Sequence, residues 1–314
     1  MLESDFGISH TPLPKRRRNS MRLTGAYTAL VTPFRNGRID EERYREFIEW
    51  QIQEGIDGLV PCGTTGESAT LSHEEHEAVI RICIEQAKGR VPVIAGAGSN
   101  NTREALGLAR FAKQAGAGAL LLITPYYNKP TQEGLFAHFK AVTDEVALPT
   151  IAYNVPGRTG VNVLPATIAR MYKELPNIIG IKEATGNLCQ VSDMLELCDS
   201  DFILLTGDDF TVLPSLAVGG KGVISVASNI APRQFAQLCA AYFAGDTAKA
   251  MQLHYDLAPL CRACFLETSP APVKTALALL GKMTPELRLP LVPLTPPNFE
   301  KLKEILVSCG YPIG

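Results

Sequence analysis

A chain of 314 residues, 46% apolar and 20% charged, has ample material for a single β/α barrel of ~250 residues with a large core. Its 30 Lys and Arg against 32 Asp and Glu leave a formal charge of −2, which gives no electrostatic basis for binding nucleic acid or an anionic membrane. No apolar run approaches the ~20 residues of a membrane span, and eight cysteines lie scattered through apolar segments. Without a secretory signal, these read as reduced core thiols of a cytoplasmic protein.

Residues 1–20 carry prolines and the basic run Lys15-Arg16-Arg17-Arg18, with no apolar periodicity. They read as a solvated tail outside the fold, upstream of a second candidate start at Met21. From there short apolar runs alternate with amphipathic stretches. Strands are predicted at 24–31, 56–61, 92–96, 118–123, 149–153, 178–182, 202–206 and 222–226. Each is nearly all apolar, as in a parallel sheet covered on both faces. Helices are predicted at 40–54 (with Ile39, Tyr44, Phe47, Ile48 and Gln51 near helical spacing), 72–87, 102–115, 131–146, 187–198 and 231–244. Eight strands, each followed by a helix or helical turn, predict an α/β fold, a (β/α)8 TIM barrel over 21–244. A doubly wound sheet is the rival. It favours a Gly-rich first turn, whereas this chain has Thr32-Pro33-Phe34. Helical patterns at 246–266, 270–281 and 297–309 exceed what a barrel needs and form a C-terminal helical appendage over 245–314.

Barrel active sites gather at the C-terminal ends of the strands. Strand 2 is followed by Gly63-Thr64-Thr65-Gly66-Glu67-Ser68, strand 4 by Thr124-Pro125-Tyr126-Tyr127-Asn128. Strand 5 ends in Tyr153-Asn154-Val155-Pro156-Gly157-Arg158-Thr159-Gly160 and strand 6 in Lys182-Glu183-Ala184-Thr185-Gly186. Lys182 closes an apolar run, so its stem is predicted to be enclosed. Desolvation favours the neutral amine, the form that attacks a carbonyl. The alternative is a structural lysine paired with an acid such as Glu183, although strand alternation sends adjacent side chains to opposite faces. Tyr153 can face Lys182 and carry protons, with Thr64 continuing the relay and Thr65 holding a carboxylate. Arg158 offers a bidentate carboxylate fork, or else a surface salt bridge.

These four motifs, in this order and spacing from about residue 22 to the C-terminus, resemble the signatures of the dihydrodipicolinate synthase family. That family belongs to the superfamily of Schiff-base-forming pyruvate aldolases and N-acetylneuraminate lyases. The resemblance implies a lyase that condenses pyruvate with L-aspartate 4-semialdehyde, the committed step toward diaminopimelate and lysine, with no metal or organic cofactor. It assigns the pyruvate imine to Lys182 and proton transfer to Tyr153, linked through Thr64 to Tyr127 of a neighbouring subunit. It places the pyruvate carboxylate at Thr65, backbone oxygens near Gly207 and Ile224, and the semialdehyde carboxylate at Arg158. It further implies a homotetramer, a dimer of dimers, and feedback inhibition by L-lysine at a dimer-interface site of Ser68, Ala69, His73, His76, Asn100, Glu104 and Tyr126.

Related lyases that act on sugar acids or hydroxy-oxoglutarate share the lysine and tyrosine; Arg158 favours a small substrate ending in a carboxylate. A phosphate-binding barrel is disfavoured by Asp208-Asp209 after strand 7, where barrel phosphate sites usually lie. A non-catalytic oxo-acid sensor is the third option. Cys261-Arg262-Ala263-Cys264 has metal or redox spacing but no second pair. His73-Glu74-Glu75-His76 lacks the spacing of zinc proteases, and Gly96-Ala97-Gly98 is not a dinucleotide fingerprint.

Overall fold

The computed structural model describes residues 23–313, so the tail expected over 1–20 lies outside the described residues. Eight parallel strands form one sheet: β1 Gly25–Ala29, β2 Gly58–Val60, β3 Ile94–Gly96, β4 Ala119–Ile123, β5 Thr150–Asn154, β6 Ile178–Glu183, β7 Ile203–Thr206 and β8 Gly222–Ser225. Their order is β2-β1-β8-β7-β6-β5-β4-β3. The ends meet at a Leu59–Val93 bridge, and the Gly96 amide donates to the Pro61 carbonyl at 3.0 Å. Closure leaves no free strand edge.

Side chains on the two sides of the strands enter different cores, as the all-apolar runs require. Tyr27, Val60, Ile94, Leu121, Ile151, Ile203 and Ile224 fill the barrel interior. The other faces pack beneath the helices in a larger cluster. Those helices are α1 Glu41–Gln53, α2 His73–Ala87, α3 Thr102–Ala115, α4 Gln132–Val146, α5 Pro165–Glu174, α6 Leu188–Leu197, α7 Val212–Ala217 and α8 Pro232–Phe243. Three more follow: α9 Thr247–Ala263, α10 Ala271–Leu279 and α11 Pro296–Ser308.

Local chemistry sets several of these boundaries. Ser72 and Glu75 form a reciprocal capping box at the start of α2. Asn101 and Asn187 accept backbone N–H groups at the starts of α3 and α6. A hairpin and two helices depart from the sequence expectation, one of these helices being the short α7 at Val212–Ala217. Phe34–Arg35 and Arg38–Ile39 pair as a small antiparallel hairpin, with Asn36 and Gly37 at φ 54° and 77°; an Asn-Gly pair suits that mirror-image turn. Ile39 therefore belongs to the hairpin, not to α1, which Asp40 caps. The other helix is α5, whose proline at the first turn starts a helix that buries only Ile168 and Met171 fully. No helix among the described residues is long and apolar enough to cross a membrane.

Candidate active site

Lys182 and Tyr153 occupy paired register positions on β6 and β5. Both are nearly buried, at 5% and 6% exposure, and the Lys182 ammonium lies 4.2 Å from the Tyr153 ring centroid. A cation over an aromatic face is electrostatically favourable, yet it leaves the nitrogen without a counter-charge. Glu183 does not supply one. Its carboxylate accepts from Asn154 Nδ2 at 2.9 Å, Gln190 Nε2 at 3.2 Å and the Thr185 amide at 2.8 Å, on the other side of the strand. Among the described residues no carboxylate pairs with Lys182, and the strand-alternation argument holds.

Gly207 explains how the lysine stem fits. A Cβ built there would sit 2.8 Å from Lys182 Cε and 3.2 Å from Cγ, so any larger residue would displace the amine. Ile224 on β8 lies fully buried in the interior cluster that also contains Tyr153. Asp209, seen in sequence as a phosphate-repelling group, is instead buried: its Oδ2 accepts from the Val226 and Ala227 amides at 3.2 and 2.8 Å, tying the turn after β7 to the end of β8. Burial pushes its carboxyl up to about 6.

Above this floor opens a cavity of about 420 Å³, lined by Thr64, Tyr153 and Arg158, and by Ser68, Ala69, His73, His76, Glu104 and Tyr126. Thr65, in the same turn as Thr64, is nearly buried. Arg158 follows β5 on the helical turn Pro156–Thr159. It has no carboxylate partner among the described residues, which removes the salt-bridge reading; its guanidinium donates to the Ser269 carbonyl at 3.3 Å. Tyr127 does not line the cavity. It is 88% exposed, with a left-handed φ of 73°.

On the cavity's outer side His73 Nε2 meets Glu104 Oε1 at 2.8 Å, and the Ser99 hydroxyl also bonds Glu104. These partners hold the Glu104 carboxyl below its ordinary range, the Ser99 hydrogen bond contributing most. His76 is buried, its Nδ1 lacks a partner, and desolvation lowers its imidazole to about 4. Asn100 stands just behind, donating to the Tyr126 carbonyl at 3.1 Å. Six of the seven expected effector residues thus share a cavity with Tyr153, and the seventh braces one of them.

Sequence reasoning gave no role to Ser269, Pro270, Pro290 and Leu291, which close one wall of the cavity. The C-terminal region is therefore part of the site. It also missed Lys274, fully buried on α10 and paired with Glu67 Oε1 at 2.6 Å. The signal was present: Lys274 is the lone charge in Ala271–Leu279, the same anomaly that singled out Lys182. Cys261 and Cys264 are buried free thiols pushed up by burial. No group of three or more His, Cys, Asp or Glu among the described residues is placed to hold a metal.

Fold and cavity together define a β/α-barrel enzyme whose cavity is lined by a phenol, hydroxyls, imidazoles and a guanidinium. Lys182 does not line it but lies buried against the Tyr153 ring that does. The model of the dihydrodipicolinate synthetase family matches residues 22–308, and the chain belongs to that family. It is 65% identical over 290 residues to the 4-hydroxy-tetrahydrodipicolinate synthase of Nitratidesulfovibrio vulgaris strain DP4, covering 92% of this chain and 99% of that one. The chloride-inhibited dihydrodipicolinate synthase of Acinetobacter baumannii, solved with pyruvate, superposes with a TM-score of 0.91 at 43% identity, over 93% of this chain and 100% of that one. The Cyanidioschyzon merolae enzyme, solved with lysine bound, gives 0.89 at 36% identity over 92% and 99%.

Proposed function

We propose that the chain condenses pyruvate with L-aspartate 4-semialdehyde to 4-hydroxy-tetrahydrodipicolinate, on the route to diaminopimelate and lysine, through a Schiff base on Lys182. The observation that carries this reading is Lys182 itself: enclosed at the end of β6, in register with Tyr153 and without a carboxylate partner among the described residues. The neutral amine adds to the pyruvate carbonyl carbon and water leaves, giving the imine. Loss of a methyl proton forms the enamine, whose carbon attacks the aldehyde. The amino group of the adduct then attacks the imine carbon, closing the ring and freeing Lys182. Each step moves a proton near the nitrogen, the task of Tyr153 with Thr64 and with Tyr127 from a neighbouring subunit. Thr65 and backbone groups near Gly207 and Ile224 hold the pyruvate end. Arg158, without a carboxylate of its own, receives that of the semialdehyde. No metal or organic cofactor enters these steps.

Feedback inhibition by L-lysine belongs to the same reading. The effector's ammonium would share or replace His73 at Glu104, beside Tyr126, whose chain neighbour Tyr127 serves the adjoining subunit in a dimer of dimers. Assaying ring-product formation from both substrates beside N-acetylneuraminate cleavage tests the proposal: the first should proceed and the second should not. Cleavage of the sugar acid without condensation would assign the chain to the related lyases.

A further inference from the structure

The turn that carries Thr64 and Thr65 has few local means of holding its shape. Within it, the Gly66 amide donates to the Gly63 carbonyl and the Glu67 amide to the Thr64 carbonyl, both at 3.1 Å. Glu67 ends the turn at φ 55°, a left-handed conformation that a non-glycine residue keeps only where its surroundings enforce it. Thr32, just after β1, also braces the turn, its hydroxyl donating to the Gly66 carbonyl at 2.8 Å, but the groups that hold the Glu67 side chain come from the far end of the chain. Glu67 Oε1 accepts from Lys274 Nζ at 2.6 Å across 207 residues, with both side chains at 0% exposure. Its Oε2 accepts from the Arg288 amide at 3.1 Å. The Arg288 guanidinium bonds the Thr70 carbonyl at 2.9 Å and Glu75 on α2, and both cations stack near the Phe34 ring, at 4.2 and 4.3 Å from its centroid.

A buried ion pair is weak evidence for stability, because desolvating two charges offsets their attraction and apolar replacements of similar volume are often neutral or stabilising. What such a pair supplies is direction: two charge-assisted bonds fix one carboxylate. Here that carboxylate belongs to the residue that closes the turn. We propose that Glu67, anchored by Lys274 and the Arg288 backbone, is a positioning residue that orients Thr64 and Thr65 toward Tyr153 and Lys182. Helix α10 and the segment that follows it thereby set the geometry of the barrel's proton relay. This rests on the role given above to the two threonines.

The test compares wild type with E67Q/K274M, which removes both charges together, and with E67D, which keeps the pair but shortens the carboxylate arm. Three quantities are read for each: thermal midpoint, the kcat and KM for pyruvate in the condensation, and amide exchange over residues 63–68. The double variant should melt within about 3 °C of wild type. It should nevertheless exchange those amides at least tenfold faster and lose at least tenfold in kcat/KM. E67D should lose activity with its midpoint unchanged. A folded double variant with wild-type kinetics and wild-type exchange overturns the proposal; should the double variant not fold, E67D decides by the same readouts. Failure of wild type to form an imine at Lys182 would sink the Schiff-base reading instead, and the exchange data would still judge the turn.

Discussion

Two buried lysines in one chain show how much a partner decides. Lys274 has a carboxylate at 2.6 Å and anchors Glu67, while Lys182 has an aromatic face and, among the described residues, no counter-charge. Burial pushes the Lys274 amine down and the Glu67 carboxylate opposes that push, whereas Lys182 is left facing the Tyr153 ring, open to a carbonyl carbon. Tyr153→Phe removes the nearest proton carrier and little packing. We predict a fall in kcat of about 10²–10⁴, the usual worth of a general acid–base, with unfolding stability nearly unchanged; turnover within threefold of wild type would count against the relay. Arg158→Ala should raise KM for the semialdehyde about 10–100-fold, the loss of a charge-assisted bond, and leave KM for pyruvate alone. Equal rises for both substrates would contradict the assignment. Lys182 was legible because a lysine ending an apolar strand has few explanations. Glu67 was not, because its partner lies 207 positions away.

At the scale of elements, α2 and α3 bring His73, His76 and Glu104 to one wall, and the turn after β4 adds Tyr126. Their packing against the cavity that Tyr153 lines gives an effector a short route to the chemistry. L-Lysine should therefore lower kcat more than it raises KM for pyruvate. Glu104→Ala should weaken the inhibition at least tenfold, within the 1–3 kcal/mol typical of coupling between sites. Full activity of wild type in tens-of-millimolar lysine, well above a regulatory range, would remove the effector role. The strands and long helices were readable because their apolar runs are unambiguous. The hairpin at 34–39 was passed over since two-residue strands leave no periodicity, although Asn36-Gly37 signalled it. Helix α5 has only two fully buried residues in 10, too few to show a stripe.

The whole molecule adds a dependence on pH. Desolvation lowers His76 and His138 to about 4 from an ordinary 6.5. Their neutral burial stabilises the fold fully above pH 6.5 and is lost as pH falls toward 4, roughly 3 kcal/mol each. Asp209, raised from 3.8 to about 6, works the other way, its contribution fading as pH rises through that window. Asp57 and Asp208 are raised as well and weaken the gain, while a lowered His254 adds to it. The strongly lowered His76 and His138 set the sign, so stability rises from pH 4 to 6.5. Urea unfolding across that range should show the rise, and His138→Gln should flatten it; a flat or falling wild-type profile would contradict the burial of neutral imidazoles. Assembly is the other property of the whole. Tyr127, 88% exposed and held at a left-handed φ, suits a role completed in a neighbour, so light scattering should find at least a dimer in the active enzyme. A fully active monomer would remove Tyr127 from the relay. What no local pattern disclosed is that the C-terminal segment walls the cavity, since that depends on how the chain's two ends meet.

The most direct measurement is borohydride reduction in the presence of pyruvate, followed by peptide mass analysis. A reduced pyruvyl adduct should appear on the peptide containing Lys182 and nowhere else, and Lys182→Ala should abolish it. Adduct formation at the wild-type rate in Lys182→Ala, or its absence from a wild-type enzyme that still makes ring product, would contradict catalysis through this lysine.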